Sequence, residues 1–135
     1  MINYMAEISK EIKVVCIINA IIAIFYGFLY LIIPDIYRYM IEAINYDPGM
    51  WRIFGATCFV IAIFNLLAIK RAEWDEAKVI LEFVILWLIL VLIINIWSFV
   101  ALPGSATAKA TTRSNIIVLI VLIGYNVLFY YRETK

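Results

Sequence analysis

Hydrophobic side chains run along this chain in four long blocks, residues 14–33, 53–69, 79–102 and 116–131, separated by short polar segments. A bilayer core about 30 Å thick is crossed by roughly 20 helical residues, with a range of about 17–25. All four blocks are close to that length, and none shows the short alternating pattern of a transmembrane β-strand. Four membrane-spanning helices are therefore predicted over about 14–33, 50–69, 78–102 and 115–131. They fill residues 1–135 as a single domain, an all-α, integral membrane four-helix antiparallel bundle. Lys10 and Lys13 ahead of the first block imitate a secretory signal. The block is longer than an h-region of about 7–15 residues, and Ile33-Pro34-Asp35 ends it in place of a small-x-small cleavage site. It reads as a retained helix.

The connections differ in character. Ile36, Met40, Ile41 and Ile44 share one helical face, with Arg38, Glu42 and Asn45 elsewhere. That pattern predicts a short amphipathic helix lying in the interface between helices one and two. Asp47-Pro48 then reads as an N-cap followed by proline at the first helical position. Residues 70–76 form a short charged turn, and residues 103–113, small and polar, read as a mobile outer loop. Met5, Ile8 and Ile12 share a face and predict an interfacial segment or an extension of the first helix. Gly27, Gly55 and Gly124, and the small residues Gly55-Ala56-Thr57-Cys58 with Ala62, predict close helix approach.

Positive charge sets the orientation. Lys10, Lys13, Lys70, Arg71, Lys78, Arg132 and Lys135 fall on the side of the termini, against Arg38, Arg52, Lys109 and Arg113 on the other. Seven against four places the N- and C-termini in the cytoplasm of a cell membrane. Trp51 and Trp97 then mark the outer boundary and Trp74 the inner one, while Trp87 lies deeper and needs a partner for its indole N–H.

Against this apolar background the polar residues inside the spans stand out, because an isolated polar group in hydrocarbon costs several kcal/mol. Asn19 follows Lys13 by six positions, and Asn126 precedes Arg132 by six. Asn65 and Glu82 are equidistant from the turn between helices two and three. Asn19, Asn65, Glu82 and Asn126 thus form a candidate inner polar layer or binding site. Arg52 and Asn95 form a candidate outer layer, with Arg52 snorkelling, pairing with Asp47 or holding a lipid headgroup. At about 100° per residue the two levels diverge on their helices, so separate layers with apolar packing between them are expected, with no continuous polar channel. The stripe Glu82, Leu86, Ile89 and Ile93 reads as the bundle-facing seam of helix three, with Lys78 as an i, i+4 partner for Glu82. Glu82 serves either as a proton, cation or headgroup site, or with the asparagines as helix–helix glue.

Composition narrows the chemistry. The chain is 67% hydrophobic and 16% charged, against about 45–50% and about 25% in soluble domains, so a separate soluble domain finds no room. A net charge of +1 gives nucleic acid nothing to bind. The absence of histidine removes His-ligated haem, most catalytic zinc sites and imidazole proton transfer. Cys16 and Cys58 lie at different depths and read as small apolar fillers. No nucleophile–base pair, Walker loop, HExxH or CxxC is found, so neither a catalytic residue, a metal nor a cofactor is expected.

Tyr46-Asp47-Pro48, Arg52-Ile53-Phe54-Gly55-Ala56, Trp74, and Glu82 within residues 79–87 resemble a pattern in small prokaryotic four-helix membrane proteins, loosely DoxX-like and mostly uncharacterised. The resemblance implies the architecture, marks Arg52, Gly55, Trp74, Glu82 and Trp87, and implies no activity. Three function classes follow. The first is a non-enzymatic bundle that binds a lipid, a quinone or another apolar small molecule, or that assembles as a homo-oligomer or with a membrane partner. The second is a small proton- or cation-coupled transporter or channel using Glu82. The third, ranked last, is an enzyme acting on lipids.

Overall fold

The computed structural model describes residues 6–135, all-helical apart from one extended N-terminal strap. Helix α1, Lys10–Gly27, starts at Ser9, whose Oγ accepts from the Ile12 amide at 3.3 Å, and carries Glu11 in its first turn. It passes directly into a five-residue π-helical segment, Phe28–Ile32, closed by the Ile33 amide donating to the Phe28 carbonyl at 3.2 Å. Pro34, which cannot continue the ladder, instead opens the short α2, Pro34–Met40. α3, Pro48–Arg71, begins as the sequence predicts: the Asp47 carboxylate accepts from the amides of Gly49 at 2.9 Å and Met50 at 3.1 Å. It ends at Ala72 in the left-handed region, φ 58°, and α4, Trp74–Ala101, starts two residues later. α5 spans Ala106–Thr134. α1 with its π segment, α3, α4 and α5 are each long and apolar enough to cross a membrane, which suggests a multi-pass membrane protein.

Three expectations about the connections are corrected. The interfacial helix is shorter than predicted. It stops at Met40 because Glu42 turns to φ 54°, leaving Ile41 and Ile44 in the connection. Its apolar side still faces outward, with Ile36, Tyr39 and Met40 exposed. The predicted outer loop over 103–113 is mostly helix. Ser105 caps α5 by accepting from the Ala108 amide at 3.2 Å, and Ala106, Ala108 and Ala110 are strong helix formers. Thr111, Thr112 and Ser114 satisfy their hydroxyls on carbonyls four residues back, so their polarity does not unwind the helix. Finally, Ile8 and Ile12 do not share a helix; Met5 lies outside the described residues. Ala6–Ser9 is extended and pairs with the α3–α4 turn, Ile8 N donating to Ala72 O at 3.0 Å and Trp74 N to Ala6 O at 2.9 Å. A turn between two helices leaves backbone groups without intrahelical partners, and the strap supplies them.

Packing divides into two levels. At the inner end Ile8, Ile12, Val15, Cys16, Ala68, Ala77 and Leu81 form a buried cluster that joins the strap to α1, α3 and α4. Midway, Ile61, Val84, Leu88, Leu119 and Leu122 form a second. α1 packs mainly on α3, and α4 mainly on α5. Two glycines explain the first pairing. A Cβ on Gly55 would lie 2.6 Å from the Leu31 backbone nitrogen, and one on Gly27 would lie 2.9 Å from the Phe59 ring. The π segment thus rests with its backbone against Gly55. Gly124, expected to serve the same purpose, has nothing within 4 Å of its Cβ position and faces outward.

Candidate functional site

Of the four residues expected to share an inner level, the structure brings three together. Asn19, Asn65 and Asn126, from α1, α3 and α5, are all buried. Asn19 Nδ2 donates to Asn126 Oδ1 at 2.7 Å and to Asn65 Oδ1 at 3.3 Å, and Asn126 Nδ2 donates back to Asn19 Oδ1 at 2.9 Å. Two further amide protons turn to their own helices: Asn126 to Leu122 O at 2.9 Å and Asn65 to Ile61 O at 2.8 Å. Every buried side-chain polar atom among the described residues has a partner. The triad is therefore a self-satisfied clamp tying three helices together, with little left to offer a ligand.

Glu82 is not part of it. Its side chain is exposed on the outside of the bundle and accepts a short hydrogen bond from the Tyr130 hydroxyl; no ion pair with Lys78 forms among the described residues. The expected inward stripe is turned outward with it, Leu86 and Ile93 being more than half exposed. Ala77, Leu81, Val84 and Leu88 face the interior instead, one helical step away. The outer pair also separates. Arg52 is exposed and makes no ion pair with Asp47, whose carboxylate is occupied by the helix cap. Asn95 is half-buried, its Nδ2 donating to Val91 O at 2.9 Å.

Between these polar levels the helices leave a chamber where packing was expected. It measures about 80 Å³. Asn19 and Leu122 lie at its floor, Ile22, Ile61 and Leu119 along its walls, and Asn95 and Asn115 at its neck. Phe54 and Trp87 stack in the wall at 5.7 Å and 18°. Beyond the neck opens a vestibule of about 210 Å³ that shares Tyr30, Asn95 and Asn115 with the chamber and is lined further by Ile41, Asn45 and Lys109. The walls of the chamber come from α1, α3, α4 and α5 together.

The neck and vestibule are held by specific bonds. Tyr26 donates to Asn115 Oδ1 at 2.8 Å, fixing α5 against α1. Lys109 Nζ donates to the carbonyls of Phe99 and of Leu102, the latter at 2.6 Å, and caps the C-terminal end of α4, where a cation is favoured. Tyr30 packs on Trp51 at 4.9 Å, and Trp51 on Tyr46 at 4.9 Å. The Tyr46 hydroxyl donates to Asp35, and Arg38 lies 4.9 Å from its ring. Loss of hydration and the bond to Asp35 raise the Tyr46 pKa above the ordinary phenol value.

At the opposite end the amide triad, the apolar cluster around Ile12 and the strap lie beyond the chamber floor, and Ser9 N ties the strap to Glu133 Oε1 at 3.0 Å. Asn115, Tyr26 and Lys109 did not stand out in the sequence. Asn115 sits at the edge of its apolar block and reads as a boundary residue. A signal existed, since Asn95 and Asn115 are each ten positions from Ser105, and a hairpin there puts them level.

No family model, curated protein or solved structure matches this chain, so nothing in those comparisons supports the DoxX-like resemblance.

Proposed function

We propose that the chain is an integral membrane protein whose four long helices cross the bilayer as an antiparallel bundle, and that it binds a lipid or other apolar small molecule without turning it over. The chamber carries this reading. It has apolar walls from all four long helices, the amide clamp at its floor and a polar neck, the ordinary anatomy of a small-molecule site. Both termini are assigned to the cytoplasm on the distribution of Lys and Arg, so the vestibule opens on the opposite side. Membrane lipids cover the exposed apolar faces of α4 and α5, including Val79, Phe83, Ile117 and Val121. A second copy or another membrane protein is an alternative cover for the same faces.

Native mass spectrometry of gently extracted protein tests the binding role. Wild type is expected to retain a bound mass that Ala23→Phe, which fills the chamber from its wall, does not. No bound mass in wild type, or equal retention by both, would count against it. Proton- or cation-coupled transport through Glu82 has less support, because that carboxylate lies off the chamber, on the bundle exterior. Liposomes holding wild type or Glu82→Gln are expected to show no protein-dependent ion flux. Flux lost in the variant would restore the transport reading.

A further inference from the structure

We infer that the chamber takes one compact, uncharged, apolar solute of about three non-hydrogen atoms, a dissolved gas molecule or a short hydrocarbon, and excludes anything as large as benzene. This inference rests on the binding role above and narrows it to one class of ligand.

The lining decides the polarity. Ile22, Ile61, Val84, Leu88, Leu119 and Leu122 supply aliphatic surface from all four long helices. Asn19, the amide at the floor, is spent. It gives one Nδ2 proton to Asn126 Oδ1 at 2.7 Å and the other to Asn65 Oδ1 at 3.3 Å, and its Oδ1 accepts from Asn126 at 2.9 Å. A buried water needs about two to four polar partners, and the floor has only the second lone pair of one oxygen to offer. A charged or hydrogen-bonding ligand meets the same shortage. An apolar guest loses no hydrogen bond there and gains dispersion contact with every wall.

Volume sets the limit. The chamber measures about 80 Å³, which at roughly 30 Å³ for each water-sized group holds about three of them. An apolar cavity of about 150 Å³ takes benzene or xenon, so this chamber falls short of benzene while a single xenon atom still fits. The neck keeps the guest short. Tyr26 donates to Asn115 at 2.8 Å, and Asn95 stands beside them where a longer hydrocarbon would leave the chamber. An alkyl chain threaded between these groups would displace their hydration and return no hydrogen bond. Lipid tails are thereby confined to the outer faces of the bundle.

Methyl NMR tests this on the full chain, labelled at Ile, Leu and Val and held in lipid nanodiscs. Xenon, cyclopropane and benzene are titrated at matched membrane concentrations. Xenon and cyclopropane are expected to shift the chamber methyls of Ile22, Ile61 and Leu122 saturably and severalfold more than the outward methyls of Ile117 and Val121. Benzene is expected to shift both sets alike and without saturation. Leu119→Ala removes three carbons from the wall and brings the chamber to a benzene-sized volume, so benzene should then shift Ile22 and Ile61 as xenon does. Ala23→Phe should abolish the response to xenon. Benzene shifting the wild-type chamber methyls as strongly as xenon would overturn the size assignment and leave the binding role standing. Exclusion of benzene from Leu119→Ala would also overturn it, because volume would not be what selects. Chamber methyls that answer xenon and cyclopropane no more than Ile117 and Val121 do would remove the binding role itself.

Discussion

Asn19 is the hub of the amide clamp, since it bonds to both Asn65 and Asn126. Asn19→Ala strands groups on two other helices and is expected to lower unfolding free energy in mixed micelles by about 1–2 kcal/mol. Asn65→Ala is expected to cost less, because Asn65 contributes a single acceptor to the clamp. Equal losses would mean that the clamp does not act through Asn19. Glu82 behaves differently. Glu82→Gln leaves an oxygen for Tyr130 to donate to on an exposed surface, so its melting should match wild type within about 0.5 kcal/mol. The asparagines were legible in the sequence because each sits alone in an apolar block, six positions from a charged boundary residue or level with one that does. The facing of Glu82 was not. A helix apolar on every side has no polar face to set its rotation, so the stripe Leu86, Ile89 and Ile93 was as plausible inward as the stripe Leu81, Val84 and Leu88 that is found there.

At the scale of the helix, two glycines decide how α1 meets α3. Gly55→Ala drives a Cβ into the Leu31 backbone, which has no rotamer to move, and should cost about 1–3 kcal/mol. Gly27→Ala meets the edge of the Phe59 ring, which can turn, and should cost less. Gly124→Ala meets nothing and should be neutral or raise stability by up to about 1 kcal/mol. Thermal melts of the three variants check the order. Lys109→Met removes the cap on α4 and should lower stability by about 1 kcal/mol, with faster amide exchange confined to the segment around Leu102. Helix positions were readable from the apolar blocks, but the start of α5 was not. Small polar residues over 103–113 suggested a loop, while the alanines and the capping Ser105 already favoured helix.

For the molecule as a whole, the strap makes the two ends unequal. Ile8 is buried beside Ile12 and Cys16. A charge there, as in Ile8→Asp, should release the strap and expose the inner cluster. Maleimide labelling of Cys16 should then rise severalfold while Cys58, in the chamber wall, stays as slow as in wild type. Unchanged Cys16 labelling would show that the inner end is sealed without the strap. The strap was not legible in sequence because its partner is a turn backbone, which leaves no side-chain signature. The π segment has its own effect on chain length. A five-residue turn is what an α-helix becomes when one residue too many must fit, here between Gly27 and Pro34. Deleting a single residue from 28–32 would let ordinary α-helical pitch resume while Gly27 and Pro34 keep their places. A one-residue gap there should therefore be easier to tolerate than one within the regular turns of α1, which would swing everything downstream by about 100°.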